Sequence, residues 1–545
     1  MVRELRIGPE EWDGPVGDTE GPQIVVGGPG TGKSEFLVRR AVTLLEDGTI
    51  EPDELLLLTF SRRGAAALRS RLEEALGKTF PSVAATTFHG VSWRILEAHG
   101  ADVLGWSQLP TLMTGPEQVA LVRELLADES PDNWSPLHRG LLHTTTFAGE
   151  VADFLMRAAE LQVSPDDIAS SDLPGWKGLD GFATRYRQAL EDQGRIDYGT
   201  LVQRATDVVA TGAVDQYRYV LVDEYQDTTV AQAALLRGLV GSTENVTAAG
   251  DPYQSIFSFR GAHLANVHEF GDLFTTPVTR IVLTTSFRVP HQILDAAVAL
   301  TAGQRFPGTA GPVIPASGPG LVQVERFDQE TAEAEWIADE VLRLRLVEGI
   351  PLSAMGVFVR SKRRFLDELS RALERRRIDH DQPDSRLADH PAVRAVFDLV
   401  TAATGSPADR HRAVRRVLLG PLFGRSVGAV RALDRSLIAS TSGWAGVLAD
   451  EPGGGELAGL IDDPAWASEM PAAEGFWHLW TTLPQFGDLV ADPGRHEERG
   501  AWASLAQVVS RFGERNPHAS LASYVGLAET EEFEAQPLLE YRDRG

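Results

Sequence analysis

The chain has 545 residues, 43% of them apolar, which is too long for one ordinary domain and enough to build several packed cores. It contains no cysteine, so disulfides, thiolate chemistry and cysteine-based zinc or iron–sulfur sites are excluded. A formal net charge of −26 argues, taken alone, against a phosphate-gripping surface, and there is no run of about 18 uncharged apolar residues to span a membrane.

The N-terminal stretch 1–12 lacks the basic and apolar regions of a secretory signal, so the expectation is a cytoplasmic protein with no membrane partner. Its basic side chains are nearly all arginine; lysine occurs at Lys33, Lys78, Lys177 and Lys362. Residues 23–26 read as a short buried strand, followed at once by Gly27-Gly28-Pro29-Gly30-Thr31-Gly32-Lys33-Ser34 and a helix with Leu37, Ala41, Leu44 and Leu45 on one face. This is a P-loop in strand–loop–helix context. Glycines let backbone N–H groups curl around an anion and the helix N-terminus adds partial positive charge, which makes Gly28, Gly30, Thr31 and Gly32 nucleotide-binding candidates. Lys33 would reach the β and γ phosphates of ATP, and the Ser34 hydroxyl would ligate Mg²⁺.

Further along come Leu58-Thr59-Phe60-Ser61-Arg62 before an alanine-rich helix, then Thr86-Thr87-Phe88-His89-Gly90. A second apolar strand, 219–222, runs into Asp223-Glu224-Tyr225-Gln226-Asp227. A carboxylate at the end of such a strand can hold Mg²⁺ and a neighbour can take a proton from attacking water, so Asp223 is the metal candidate and Glu224 the base. Residues 249–262 read AGDPYQSIFSFRGA, and 283–288 read LTTSFR. A Pro/Gly-rich connector covers 303–320. An apolar segment at 321–324, a helix around 335–337 and a strand at 356–361 are expected, and the pattern from about 386 onward is helical with a break at 452–455. Arginine-rich stretches at 371–377 and 410–416 read as solvated helix faces.

The string LVDEYQDT, taken with the P-loop, resembles the second motif of the UvrD/Rep/PcrA group of superfamily 1 helicases. The other segments are similar to that family's motifs Ia, Ib, III and IV in the right order, with Ser286 where asparagine is usual. The resemblance implies an α/β fold: a RecA-like doubly wound parallel sheet with helical insertion subdomains. It assigns 1–95 and 196–290 to lobe 1A, 96–195 to helical subdomain 1B, 291–385 to the first part of lobe 2A and 386–545 to helical subdomain 2B. It implies that Gln254 couples nucleotide to DNA, that Arg288 contacts the γ phosphate and that Phe287 stacks on the base. It also implies that Phe60, Arg62, Thr87, His89, Phe257, Phe259 and Arg260 face DNA, with Phe259 where the family often has tryptophan. Aromatic stacking gives the sequence-tolerant grip that a motor needs.

The departures carry expectations of their own. The adenine-reading glutamine usual upstream of the P-loop is missing, and Glu35 stands where the family often has arginine, so selectivity for ATP is open. Segments resembling Thr-x-His-x-x-Lys-Gly-Leu-Glu and Tyr-Val-Ala-x-Thr-Arg do not occur, so the second RecA-like lobe is expected to be incomplete and the isolated chain slow or inactive. The implied activity is an ATP-dependent 3′–5′ translocase and helicase on single-stranded and duplex DNA, serving repair or recombination. The arginine- and alanine-rich composition suggests one specific form of it, the motor of an actinobacterial helicase–nuclease with a second subunit. The alternatives are a scaffold subunit that binds nucleotide and DNA without turnover, and a small-molecule P-loop kinase.

Overall fold

The computed structural model of the chain describes residues 3–17, 20–77, 83–171, 173, 175–256, 265–301, 303, 313–315, 318–380, 387–439, 443–448, 451–492, 495–516 and 519–530. The polypeptide divides into two compact units, Met1–Val324 and Glu325–Gly545. The first is organised around seven strands: β1 (Arg3–Ile7), β2 (Gln23–Gly27), β3 (Leu55–Thr59), β4 (Ala84–Thr87), β5 (Tyr219–Val222), β6 (Val246–Gly250) and β7 (Thr279–Leu283). They form one sheet in the order β1-β7-β2-β6-β5-β3-β4, and its strand pairs are all parallel.

Its central strands read as near-continuous apolar runs because both faces are covered. Successive side chains alternate between two cores. Ile24, Val26, Leu56, Leu58, Val220 and Val222 join one of them with Phe88, Leu201 and Leu235. Val25, Leu55, Leu57, Tyr219 and Leu221 join the other with Phe36, Leu37 and Leu44. The doubly wound α/β fold expected from the sequence is therefore present. Parallel pairing puts the carboxyl ends of all seven strands along one edge, where ligands of such folds bind.

Helices α1 (Lys33–Glu46), α2 (Arg62–Leu76) and α3 (Phe88–Leu104) follow β2, β3 and β4. An insertion then departs through α4 (Gly115–Ala127), α5 (Thr145–Glu160) and α6 (Leu179–Asp192) before α7 (Tyr198–Ala210) returns to the sheet. The insertion has its own core around the fully buried Trp134 and Phe182, with Val122, Phe147 and Tyr186. A buried polar knot fastens it to α7. Asp197, the N-cap of α7, accepts from the Thr200 amide at 2.7 Å and from the Tyr186 hydroxyl at 2.7 Å, and the Gln118 amide approaches at 3.4 Å.

The second unit is helical. A small core pairs α8 (Glu330–Leu346) with α9 (Lys362–Arg375) through Ala334, Ala338, Leu369 and Leu373. A larger one surrounds α10 (Pro391–Thr404) with Phe397, Phe476, Phe486 and Trp502. The Trp502 indole donates to the Ala392 carbonyl at 2.9 Å. The arginine-rich stretches are engaged in ion pairs: Arg371 with Glu368, Arg376 with Glu335 and Asp339, Arg415 with Asp434 and Arg416 with Asp398.

One expectation is corrected. Residues 356–361 are irregular backbone rather than a β-strand, as is the apolar segment 321–324. An apolar run becomes a strand only when a neighbour takes its N–H and C=O groups. Instead Leu321, Val324 and Phe358 are 79%, 88% and 98% exposed.

Removing the Asp197 carboxylate strands a buried tyrosine hydroxyl and a helix N-terminus together, which costs about 2–4 kcal/mol. Asp197→Ala should lower the midpoint of the thermal transition by several degrees, and Asp197→Asn by less. Calorimetry showing an unshifted transition in Asp197→Ala would contradict this account of how the insertion is held.

Candidate nucleotide site and its surroundings

The P-loop leaves β2 in the middle of the sheet, and its conformation needs bare backbone. Gly30 and Gly32 have φ of +73° and +86°, the left-handed region that side chains avoid. A Cβ on Gly30 would lie 2.7 Å from the Arg288 Cβ, and one on Gly32 would lie 2.7 Å from the Trp12 ring. Gly32 caps α1, so the positive end of that helix faces the loop. Lys33 is buried, and its ammonium donates to the carbonyls of Gly27 at 2.8 Å and Gly28 at 3.2 Å. The Thr31 hydroxyl donates to the Gly28 carbonyl at 2.9 Å and braces the turn from inside.

Across β6, strand β5 delivers Asp223 to this loop. The Asp223 amide donates to the Leu58 carbonyl at 2.8 Å, extending the ladder by one residue so that the carboxylate emerges at the strand end. Burial and the neighbouring Glu224 charge push the Asp223 carboxyl above the usual carboxylate range. A hydrogen bond from Ser34, the Glu224 amide and the Lys33 charge pull the other way. The structure therefore brings Lys33, Ser34, Asp223 and Glu224 into one site. Two adjacent carboxylates and a hydroxyl, with one lysine among them, form an oxygen-rich donor set that suits a hard divalent cation shared with phosphate oxygens. Among the described residues no group of three or more His, Asp or Glu is arranged to hold a metal without such help.

Glu224 stands in the left-handed region at φ +56° and ψ +42°. A non-glycine residue there costs about 1–2 kcal/mol, a cost that tends to persist at functional sites. Two hydrogen bonds hold the conformation: its own amide to Asp223 Oδ1 at 3.1 Å, and Gln226 Nε2 to its Oε2 at 2.7 Å. Gln254 is half-buried at the end of β6, and its amide donates to Asp251 Oδ2 at 2.8 Å.

The segment after β7 latches onto the P-loop. The Ser286 hydroxyl donates to the Pro29 carbonyl at 2.8 Å and the Phe287 amide to the Gly30 carbonyl at 2.9 Å. Phe287 is 47% exposed and meets Trp12 edge-on at 6.3 Å, while Arg288 is exposed with its stem against Gly30. Trp12 had no role in the sequence reading. It is buried against Phe36 at 5.9 Å, and the Arg39 guanidinium lies 5.1 Å from its ring centre. The signal available was a tryptophan shortly before the P-loop. Glu35 pairs with Arg39 at 3.1 Å and Arg71 at 2.6 Å. Burial would raise the Glu35 carboxyl, and these two arginines hold it below the usual range instead.

The residues expected to face DNA follow β3 and β4 on the same edge. Phe60 is half-buried and Arg62 exposed, beyond the Ser61 cap that accepts from the Gly64 amide at 3.0 Å. The Thr87 hydroxyl caps α3 by accepting from the Gly90 amide at 3.1 Å. His89 packs edge-on against Tyr198 at 5.2 Å, and burial lowers its imidazole to about 4, so it is neutral near pH 7. Phe257, Phe259 and Arg260 lie outside the described residues.

The sequence profile of the UvrD/REP helicase N-terminal domain matches residues 9–275, which hold the P-loop, Asp223, Glu224 and the turn around Asp251. Residues 9–275 form a UvrD/REP helicase N-terminal domain. It is 26% identical over 353 residues to the ATP-dependent DNA helicase PcrA of Staphylococcus epidermidis, covering 63% of this chain and 46% of that protein. With the ATP-dependent DNA helicase PcrA of Leuconostoc citreum the figures are 27% over 384 residues, 68% and 48%. With the ATP-dependent DNA helicase UvrD1 of Mycobacterium tuberculosis they are 27% over 491 residues, 81% and 60%. The chain thus spans about half the length of the curated relatives it matches. No helix among its described residues is long and apolar enough to cross a membrane.

The half-buried imidazole makes a pH prediction. Between its ordinary 6.5 and about 4, the unfolded chain takes up a proton at His89 that the folded chain refuses. Stability from this group is therefore complete above pH 6.5 and lost as pH falls towards 4. The urea midpoint should fall less between pH 7 and pH 5 in His89→Phe than in the unsubstituted protein. Equal falls would show that the ring is not desolvated.

Proposed function

We propose that this chain is an ATP-dependent single-stranded DNA translocase and helicase, moving 3′ to 5′ in DNA repair or recombination, in the cytoplasm and alongside a second helicase or nuclease subunit. The observation that carries the reading is the meeting of Lys33 and Ser34 with Asp223 at the carboxyl edge of a parallel sheet, within a UvrD/REP domain. The activity named for the relatives, ATP-dependent DNA helicases, supports it.

In this reading the P-loop glycines and the α1 N-terminus bind the triphosphate, and Lys33 offsets charge on its β and γ groups. Ser34 and Asp223 would hold Mg²⁺, which when bound withdraws charge from the phosphate oxygens. Glu224, held at its strained backbone by Gln226, accepts the proton of the attacking water. Arg288, beside Gly30, stabilises charge on the departing phosphoryl group, and Gln254 senses its presence. Phe287 and the Trp12 platform bound the place of the base without a side chain dedicated to reading adenine, so other nucleoside triphosphates should compete with ATP. Phe60, Arg62, Thr87 and His89, with Phe257, Phe259 and Arg260, form the proposed DNA track.

Steady-state hydrolysis with and without an oligo-dT single strand tests this. Stimulation by DNA is expected, and Glu224→Gln should lower the stimulated rate at least about 100-fold with Mg²⁺–nucleotide affinity little changed. Phosphate transfer independent of DNA, or a Glu224→Gln variant with full turnover, would overturn the reading. Binding of both ligands without hydrolysis would favour the scaffold alternative. On the DNA side, Phe60→Ala should weaken oligo-dT binding about tenfold in an anisotropy titration, the loss of one stacked base. Unchanged affinity would remove Phe60 from the track.

A further inference from the structure

Gln226 follows Glu224 by two residues on the single 3-10 turn Tyr225–Asp227 and is 1% exposed. Its amide has a donor and an acceptor end, and the two ends hold different parts of the site. Nε2 donates to Glu224 Oε2 at 2.7 Å, and Oε1 accepts from the Asp251 amide at 2.9 Å. The chemistry at each end fixes the orientation, since a carboxylate accepts and a backbone N–H donates. The fit is close enough to dictate the end of β6: a Cβ on Gly250 would lie 2.9 Å from Gln226 Oε1 and 3.2 Å from its backbone nitrogen.

Asp251 in turn organises the following residues. Its carboxylate accepts from the Tyr253 amide at 3.1 Å and from Gln254 Nε2 at 2.8 Å. The start of the 251–255 turn is thus tied to the acidic strand end through the Gln226 amide. A displacement of Glu224 must carry Asp251 with it or break a buried hydrogen bond, and a buried carboxylate or amide left unpaired costs about 1–3 kcal/mol.

We propose that Gln226 is a positioning residue that transmits the state of the nucleotide site to the 251–255 turn, and so sets how nucleotide changes affinity for single-stranded DNA. This rests on the helicase reading above, because the proposed DNA contacts Phe257, Phe259 and Arg260 follow that turn directly in sequence. The link differs from that of Gln254, which bonds the Asp251 carboxylate rather than its amide.

The test is a coupling measurement on the full chain that needs no turnover. Affinity for a fluorescein-labelled oligo-dT is titrated by anisotropy with and without Mg²⁺ and the non-hydrolysable analogue AMP-PNP. In the unsubstituted protein the analogue should change DNA affinity at least about fivefold, the lower end of ordinary coupling. In Gln226→Ala the two DNA affinities should agree within about twofold, while the AMP-PNP affinity measured without DNA stays within about threefold of the unsubstituted value. Gln226→Glu keeps the side-chain volume and the acceptor for Asp251 but lacks the donor to Glu224, so it should be uncoupled too. It serves where the alanine variant folds poorly. Coupling retained in the well-folded variants overturns the proposal, as does loss of AMP-PNP binding itself, which would mark a merely structural role. An unsubstituted protein that binds both ligands without coupling also overturns it and leaves the nucleotide-and-DNA reading standing. One that binds neither ligand overturns that reading as well.

Discussion

The approach of Ser34 and Lys33 to the Asp223 carboxylate is the contact on which the rest of the site depends. It joins the first residues of the helix after β2 to the end of β5, two strands that are not neighbours but flank β6. Such a contact exists only because the strands run parallel and end at one edge. An antiparallel neighbour would send its carboxyl end to the opposite side. The long excursion through α4–α6 between the two segments is harmless to it, since the insertion is fastened to α7 by Asp197 and has its own core.

Electrostatics explain how so acidic a chain builds a place for a triphosphate. Positive charge is concentrated rather than averaged: Lys33 sits inside the loop with the α1 N-terminus, and Arg288 lies beside Gly30. Much of the arginine elsewhere is matched locally by carboxylates, as at Glu35 and along the second unit's helices. Buried Asp223 is raised and Asp227 is pushed up to about 6, in both cases by burial first and by Glu224 second. A cation shared with phosphates would relieve that repulsion directly, which is how the acidic strand end and the phosphate loop would complete each other.

Much of this was legible in the sequence. The P-loop announces itself because glycine, lysine and serine at fixed spacing follow an apolar strand, and residues 219–223 repeat the strand-to-charge transition. The alternation of apolar residues between two cores was hidden inside uniform runs such as Leu55–Leu58, where sequence gives burial but not which face. Segments 321–324 and 356–361 have the composition of strands, but pairing is a property of neighbours, and composition says nothing about whether a neighbour is there. Trp12 and Gln226 escaped notice for another reason. Their importance comes from what they touch, Gly32 and Phe287 for one, Glu224 and Asp251 for the other, and those partners are distant in sequence or ordinary in type.

In the proposed reading, Lys33, Ser34 and Asp223 make one Mg²⁺-dependent nucleotide pocket. Titration of the full chain with a fluorescent methylanthraniloyl-ATP, in Mg²⁺ and in EDTA, addresses it most directly. Saturable binding that weakens at least about tenfold, a loss of about 1.4 kcal/mol, on removing Mg²⁺, in Lys33→Ala and in Asp223→Asn is the predicted result. Equal affinity with and without Mg²⁺, or a Lys33→Ala variant that binds as tightly as the unsubstituted chain, would contradict it.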